Sequence, residues 1–188
     1  MIIGISGQAR HGKDTIADYL VKNYGFQKMS LAQPLKEICR TIFSFNDEQL
    51  YGDQKESVDP RWGITPRHCL QFIGTELFRQ QIGQLLPEIG DDIWVYCLCE
   101  RLKTLFQEKP DTKVVICDVR FKNEYQALNN LEIPFHSIRV NNPHVEGTAS
   151  THTSEQIDLP YDHYIENSGT ILELYGKVDE LISVFYLT

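Results

Sequence analysis

Residues 1–20 have the sequence MIIGISGQARHGKDTIADYL, which contains a short apolar run, a glycine-bracketed loop and the start of a helical pattern. Ile2, Ile3 and Ile5 are typical of a buried parallel strand. Residues 7–13 match the spacing G-x-x-x-x-G-K. These three parts in this order predict a strand–loop–helix unit whose loop can bind an anion.

The loop has the chemistry that a phosphate group needs. Gly7 and Gly12 permit tight backbone geometry, so that successive N–H groups can face inward. A helix that begins near Gly12 adds its unpaired N–H groups and the positive end of its dipole. Lys13 can then contact the terminal phosphates of a nucleoside triphosphate. The alternative interpretation is an ordinary strand–turn–helix connection without a ligand.

The residues after Lys13 depart from the general form of this motif. Asp14 stands where a Ser or Thr usually binds Mg²⁺, and Thr15 follows it. Because a carboxylate is a hard oxygen ligand, Asp14 is a candidate metal ligand, directly or through water. An acidic residue in the first turn also complements the helix dipole. Both roles are open, and Thr15 keeps a hydroxyl in the first turn.

The composition limits the classes of function. The chain has 188 residues and a net charge of −8, from 18 basic and 26 acidic residues. Its length suffices for one domain with a sizeable core, and its charge argues against a protein that binds a nucleic-acid backbone. The five cysteines lie in apolar segments without C-x-x-C spacing, which predicts free thiols in a reducing, intracellular compartment such as the cytoplasm. We expect no signal peptide and no membrane span.

The rest of the chain alternates between strand and helix patterns. Further strands are predicted at residues 26–30, 113–118, 134–140 and 163–165, and helices at residues 34–43, 65–78, 93–106, 123–131 and 171–185. Residues 46–62 are polar and unperiodic, which predicts a long surface loop. The predicted fold is α/β, with three layers: a five-stranded parallel sheet carries helices on both faces. We expect a single domain at residues 1–188, with a helical insertion at about 31–108.

Asp118 is the second candidate for phosphate chemistry. It follows a fully apolar strand and therefore lies at the carboxyl edge of the sheet, where ligands bind in open α/β folds. This position predicts a second acidic residue of a nucleotide site, a Mg²⁺ ligand directly or through water. The alternative is a turn or helix N-cap residue. Arg120, two residues further on, is a natural cation for a phosphate.

Residues 142–156 contain almost nothing apolar. A loop of this length in a compact domain is either disordered or a functional flap. In an enzyme of phosphoryl transfer, such a flap closes over the phosphates and excludes water. We therefore predict a lid at about residues 141–157.

With these parts placed, the chain resembles the deoxynucleoside monophosphate kinases of bacteriophages and large DNA viruses. The stretches that carry the resemblance are, in the family's order, GQARHGKDT (7–15), LAQPLKE (31–37), LQFIGTEL (70–77), DVRFKNE (118–124), HTSE (152–155) and NSGTILELY (167–175). An aspartate after the loop lysine is a feature of this family. The last stretch also resembles related P-loop kinases such as dephospho-coenzyme A kinase, so it indicates the superfamily more than the substrate. The short helical insertion leaves base selectivity open.

The resemblance implies transfer of the γ-phosphate of ATP to a deoxynucleoside 5′-monophosphate, with ATP and Mg²⁺ as cofactors. The partner is then a small molecule rather than a nucleic acid or a membrane, and a homodimer is left open. The implied catalytic residues are Lys13, Asp118, Arg120 and Arg139. The implied contacts with ATP are Arg10, His11, Gly12, Lys13, Asp14, Thr15, Asn167, Gly169 and Thr170. The implied metal ligands are Asp14, Thr15 and Asp118. The implied contacts with the acceptor are Lys36, Gln71, Thr75, Trp94, Arg120, Arg139, His152 and Glu155.

Several of these residues have a structural alternative. Lys36 fits a solvated helix face, Trp94 a core position at a helix start, Gln71 a helix contact and His152 a plain surface position. Other functions also remain open at this stage. They are a P-loop kinase for another small phosphorylated acceptor, such as dephospho-coenzyme A or a mevalonate phosphate, a nucleotide-dependent switch, and a polynucleotide 5′-end kinase, which the negative charge disfavours.

Overall fold

A computed structural model describes residues 1–145 and 159–186. The chain divides into two compact units. The first, the α/β unit, comprises Met1–Ser30 and Leu102–Thr188, and the second, the helical unit, comprises Leu31–Arg101. The helical unit contains most of the predicted helical insertion.

The α/β unit is built on one parallel sheet. Its strands are β1 (Ile2–Ser6), β2 (Gln27–Met29), β3 (Val114–Ile116), β4 (Phe135–Asn141) and β5 (His163–Glu166). Their order in the sheet is β2-β3-β1-β4-β5, and every pairing is parallel. In register, Ile3 of β1 lies beside Val115 of β3 on one side and His136 of β4 on the other. The predicted α/β fold with five parallel strands is confirmed.

Helices connect these strands and form the second unit. The helices are α1 (Lys13–Tyr24), α2 (Gln33–Phe43), α3 (Asp47–Leu50), α4 (Pro66–Gln71), α5 (Ile93–Glu108), α6 (Lys122–Asn129) and α7 (Ile171–Phe185). A π-helical segment, Phe72–Arg79, continues α4, and short 3₁₀ turns lie at Asp53–Glu56, Ile82–Gln84 and Gly90–Asp92. In the described residues no helix is long and apolar enough to cross a membrane.

The sheet is buried on both faces. Ile3 and Ile5 belong to a core that includes side chains of α1 and α7. Ile2, whose side chain alternates to the opposite face, is also fully buried. Burial on both sides explains why the strand sequences are continuous apolar runs rather than alternating ones. Tyr19 of α1 adds a polar contact within this unit, because its hydroxyl donates to Asp179 of α7 at 2.8 Å.

Residues 46–62 are not the surface loop that the sequence predicts. They contain α3 and a 3₁₀ turn, and Leu50 is fully buried in a cluster with Cys39, Phe45, Cys69 and Ile73. A capping box begins α3, in which the Asn46 side chain accepts the N–H of Gln49. The prediction was wrong because this segment is ordered by polar contacts, which leave no hydrophobic period in the sequence.

A buried carboxylate holds this segment together. Asp59 is almost fully buried and accepts hydrogen bonds from the Arg61 guanidinium, at 2.6 Å, and from the Gln49 amide, at 2.8 Å. These hydrogen bonds hold the pKa of Asp59 well below its usual range. The carboxylate therefore stays charged, and its partners keep the segment in place.

The helix that begins at Thr65 and Pro66 is confirmed, since the Thr65 hydroxyl accepts the N–H of His68 and Pro66 is the first helical residue. Its second half is the π-helical segment, which the sequence does not predict. A side chain at Gly74 would lie 2.7 Å from Leu35, so glycine permits a close approach of α2. The Gly74 carbonyl accepts the indole N–H of Trp94 at 2.9 Å.

Replacing Trp94 with phenylalanine is expected to lower the free energy of unfolding by about 1–3 kcal/mol, because the Gly74 carbonyl then loses its partner inside the helical unit. Trp94 is only 5% exposed, and its ring packs on Phe78 with 5.0 Å between centroids. Trp62→Phe is a matched control: that indole donates to the Phe43 carbonyl, but its side chain is 47% exposed and water can replace it. Denaturant unfolding compares the two; equal losses would contradict the buried hydrogen bond.

The five cysteines are unpaired, as predicted. Four of them are buried, and Cys97 is half-buried. Burial raises the pKa of Cys39 and of Cys117 to about 11 in each case. Both side chains therefore remain protonated thiols near neutral pH.

Candidate active site

The loop between β1 and α1 has a conformation that depends on its glycines. Gly7 has φ +149° and Gly12 has φ +103°, both in the region that favours glycine. A Cβ at Gly7 would meet the Val140 carbonyl, and one at Gly12 would lie 2.6 Å from the Asn167 amide. Gly12 is also the N-cap of α1 and makes no side-chain cap, which leaves N–H groups of the first turn for a ligand.

Lys13 lies along this loop. Its ammonium donates to the Gln8 carbonyl at 2.7 Å, and the side chain is nearly buried. Burial lowers the pKa of Lys13, and the negative charge of Asp118 acts in the opposite direction. The ammonium is thus held by a neutral acceptor, which an anionic phosphate oxygen can replace with a stronger charge-assisted hydrogen bond.

Asp118 and Arg120 form an ion pair directly after β3. The Arg120 Nε donates to Asp118 Oδ1 at 2.6 Å, and the two side chains are 43% and 41% exposed. Glu124, which is almost fully buried, accepts the backbone N–H groups of Arg120 at 2.7 Å and Phe121 at 3.1 Å. The buried carboxylate of Glu124 therefore holds the backbone of the turn that carries the ion pair.

Asp14 has a partner that the sequence does not suggest. The ammonium of Lys28, on β2, lies 3.0 Å from Asp14 Oδ1 and 2.9 Å from Asp18 Oδ1. Desolvation alone would raise the pKa of Asp14, but the hydrogen bond and charge of Lys28 outweigh it and lower the pKa below its usual value. Asp14 is therefore an ionised carboxylate, and its side chain is 77% exposed.

The ends of β4 and β5 contribute the remaining polar groups. Arg139 is paired in register with Ser6, and its guanidinium lies 6.0 Å from the centre of the Tyr161 ring. Asn167 follows β5, and its side-chain amide donates to the His11 carbonyl at 3.1 Å. Thr170 caps α7, with its hydroxyl accepting the Glu173 N–H. The loop from β5 to α7 thus contacts the candidate phosphate loop, residues 7–13, directly.

The comparisons with known proteins agree with this geometry. Residues 1–57 match a family model described as "Deoxynucleotide monophosphate kinase". A relative from Acanthamoeba polyphaga mimivirus, described as "Putative deoxynucleotide monophosphate kinase", is 36% identical over 185 residues, which cover 95% of this chain and 94% of the relative. The chain belongs to the deoxynucleotide monophosphate kinase family. The resemblance seen in the sequence is confirmed, and the chain is a kinase.

Solved structures of low identity show that this kinase shares its fold with other proteins. TT1252 from Thermus thermophilus is 20% identical, with a TM-score of 0.50 and coverage of 97% of this chain and 96% of that chain. A dephospho-CoA kinase from Campylobacter jejuni is 12% identical, with a TM-score of 0.50 and coverage of 97% and 95%. At these identities the likeness shows the fold alone.

In the α/β unit of the kinase, the predicted site residues lie near the carboxyl ends of four strands, in the last part of β4, in the first turn of α1 and in the loops between elements. The set comprises Arg10, His11, Gly12, Lys13, Asp14, Thr15, Asp118, Arg120, Arg139, Asn167, Gly169 and Thr170. The carboxyl ends of parallel strands share one edge of a sheet, so these loops lie on the same side of the unit. Thr170 serves there as a helix cap, and its contact with ATP stays a prediction.

The helical unit carries four further predicted residues. The Lys36 ammonium lies 3.8 Å from the centre of the Tyr51 ring, a cation–π contact within that unit. Gln71 and Thr75 are exposed, one turn apart, where α4 passes into the π-helical segment. Trp94, by contrast, is buried and takes the core position that was its structural alternative. His152 and Glu155, with most of the predicted lid, lie outside the described residues.

Sequence reasoning missed Lys28 and Glu124. For Lys28, the available signal was the spacing of Asp14 and Asp18, which places two carboxylates on one face of α1 and invites a cation between them. For Glu124, it was the position three residues after Phe121, at the start of a predicted helix. Neither signal identifies the partner, because both contacts depend on how strands and turns meet.

Proposed function

We propose that this kinase transfers the γ-phosphate of ATP to the 5′-phosphate of a deoxynucleoside monophosphate, giving the diphosphate and ADP. Family membership supports the reaction class. The observation that carries the proposal is the glycine-dependent loop with Lys13, at the same sheet edge as the Asp118–Arg120 pair. It combines N–H donors, a lysine, an arginine and a carboxylate, which are the parts that phosphoryl transfer needs.

The chain's own groups account for most of the proposed catalysis. The N–H groups of the loop and of the first turn of α1 hold the β- and γ-phosphates of ATP, and Lys13 contacts their oxygens. Arg120 and Arg139 present cations to the equatorial oxygens of the transferred group. Since little covalent chemistry is required of the protein, catalysis consists of placing the two phosphates in line and stabilising the charge between them.

Asp14, Thr15 and Asp118 fit a magnesium site that is completed by the substrate. Both carboxylates are well exposed, and each is oriented by a cation through one oxygen. Among the described residues, no group of three His, Cys, Asp or Glu side chains lies close enough to hold a metal alone. This arrangement suits Mg²⁺, which proteins usually bind through one or two carboxylates plus substrate phosphates. When bound, the ion would supply positive charge that neutralises the substrate phosphates.

For the acceptor, we propose contacts from Lys36, Gln71 and Thr75, whose side chains offer a cation, an amide and a hydroxyl. The amide of Gln71 can donate to and accept from a base edge. Trp94 is left out of these contacts, because its indole N–H is already bonded to Gly74 and its ring is packed on Phe78.

A coupled ADP-release assay with Mg-ATP tests the function. The acceptors are dGMP, dTMP, dCMP, a 5-substituted dCMP, dAMP, the four ribonucleotides and dephospho-coenzyme A, each alone. We expect fast release with one or several deoxynucleotides. If ADP were released quickly with dephospho-coenzyme A and with no deoxynucleotide, the proposed substrate would be wrong. If no acceptor increased the rate of ADP release, the proposed reaction would be wrong.

Asp14→Ala is expected to raise the half-saturating Mg²⁺ concentration about tenfold, because a carboxylate next to the phosphates is lost. Asp18→Ala is the matched control, since Asp18 shares Lys28 with Asp14 but lies a full turn further along α1. Initial rates against Mg²⁺ concentration, with both substrates saturating, measure the effect. If Asp14→Ala left the dependence of the rate on Mg²⁺ concentration unchanged, Asp14 would not be a metal ligand, and its role would be limited to the helix dipole and the contact with Lys28.

A further inference from the structure

His11 is the last loop residue before Gly12, and it is only 4% exposed. Its ring Nδ1 lies 3.1 Å from the backbone nitrogen of Asn142, the residue that follows β4. A backbone N–H can only donate, so Nδ1 must be the acceptor of this hydrogen bond. The side chain of His11 thus ties the phosphate loop to the chain that leaves β4.

The main chain of His11 makes a second connection. Its carbonyl accepts the side-chain amide of Asn167 at 3.1 Å. The backbone N–H of Asn167 in turn donates to the Asn141 carbonyl, at the end of β4, at 2.7 Å. Side chain and main chain of one residue therefore connect the phosphate loop with the segments that follow β4 and β5.

The acceptor role of Nδ1 defines the state of the ring. A neutral imidazole that accepts at Nδ1 carries its proton on Nε2, which is buried and has no hydrogen-bond partner in the described part of the chain. The Asn142 N–H contacts the ring directly, and the groups that act on its charge include the Lys13 ammonium from α1 and the Val140 carbonyl from β4. Burial and the charge of Lys13 lower the pKa of His11, and the Val140 carbonyl acts against them.

We propose that His11 is a positioning residue, which holds the phosphate loop in its ATP-binding conformation by accepting the Asn142 N–H. This inference rests on the proposed function of the loop. A protonated ring carries a hydrogen on Nδ1, which would face the Asn142 N–H donor, so the contact cannot form in that state. ATP binding therefore weakens as the pH falls below the usual titration range of histidine, near 6.5.

Two substitutions of His11 distinguish the role of its hydrogen-bond acceptor from that of the volume and the titration of the imidazole ring. His11→Asn retains an acceptor, since the amide Oδ1 takes about the position of Nδ1, and it does not titrate. His11→Leu retains much of the volume and removes the acceptor. We expect His11→Leu to raise KM for ATP about tenfold at pH 7.5, with kcat and KM for the acceptor changed less than about twofold. His11→Asn should raise KM for ATP much less than His11→Leu at that pH.

The pH profile provides the decisive comparison. From pH 7.5 to pH 5.5, KM for ATP should rise about fivefold more in the wild type than in His11→Asn. The nucleotide phosphates titrate in the same range, so the difference between the two proteins, measured in the same buffers, isolates the ring. His68→Asn is the control, because this exposed histidine lies on α4 in the helical unit and should leave the profile of the wild type unchanged.

Direct binding of ATP, by calorimetry, keeps this inference separate from the proposed reaction. A wild type that binds ATP but phosphorylates no deoxynucleotide would overturn the proposed acceptor, and the dissociation constants of the variants would still test His11. Equal dissociation constants and equal pH profiles for wild type, His11→Asn and His11→Leu would overturn the positioning role. If circular dichroism shows that His11→Leu is unfolded, the wild-type and His11→Asn profiles decide alone.

Discussion

Replacing Lys13 with alanine is expected to lower kcat by roughly 10²–10³-fold while the protein remains folded. The ammonium is a nearly buried cation at the end of the loop, and its charge is needed most where negative charge develops between donor and acceptor. The structural cost is limited, because in the described structure its hydrogen bond is to the neutral Gln8 carbonyl. A loss in kcat larger than the change in KM for ATP would indicate an interaction made mainly in the transition state.

Lys22→Ala is the matched control for this experiment. Lys22 lies in the last turn of the same helix, α1, and is exposed. The two variants share the loss of one charge and one long side chain, so thermal unfolding should shift by a similar small amount in both. Steady-state kinetics with ATP and the best acceptor separate them. Near-normal turnover by Lys13→Ala would refute the assignment of residues 7–13 as the phosphate-binding loop.

The elements that the sequence predicts best are those whose signal is local. Helix α7 begins and ends at the predicted residues, because Thr170 caps it and its apolar residues recur at helical spacing over four turns. Strand β1 and helix α1 are equally clear, since an apolar run, two glycines and an amphipathic stretch follow one another without interruption. Such features need no knowledge of what packs against them.

The segments that the sequence fails to predict depend on contacts made elsewhere. The order of residues 46–62 comes from Asp59, whose partners Gln49 and Arg61 are recognisable only once the segment is folded. The π-helical segment packs at Gly74 against Leu35, which precedes it in the sequence, and Gly74 accepts a hydrogen bond from Trp94, which follows it. Helical periodicity cannot distinguish a π-helical turn from an α-helical one over eight residues.

The candidate site divides in the same way. Local pattern alone marks Lys13, Asp118 and Arg120 as candidates, because Lys13 completes a loop motif and the other two follow an apolar strand. Lys28 reaches Asp14 only because β2 lies beside β3 in the sheet, an order that no local pattern gives. The ring of His11 likewise finds its partner 131 residues away. Candidate phosphate-binding residues are thus easier to predict than the residues that hold them in place.

Asp118→Asn is expected to lower kcat by about 10²-fold or more, with a smaller effect on ATP binding. The amide keeps the shape of the side chain but removes the charge that orients Arg120 through a 2.6 Å contact and that acts on Lys13. It also removes the charge from a proposed oxygen ligand for magnesium. Asp111→Asn, an exposed isosteric change near the opposite end of β3, should leave kcat unchanged.

A double-mutant cycle shows whether Asp118 acts together with Arg120. If the ion pair works as a unit, Asp118→Asn combined with Arg120→Lys should cost much less than the product of the two single losses, because either change already releases the pair. Arg120→Lys retains a positive charge but loses the Nε that contacts Asp118. Losses that multiply would mean that the two residues act independently on the phosphates. If Asp118→Asn retained more than half of the wild-type kcat, Asp118 would not be a catalytic residue.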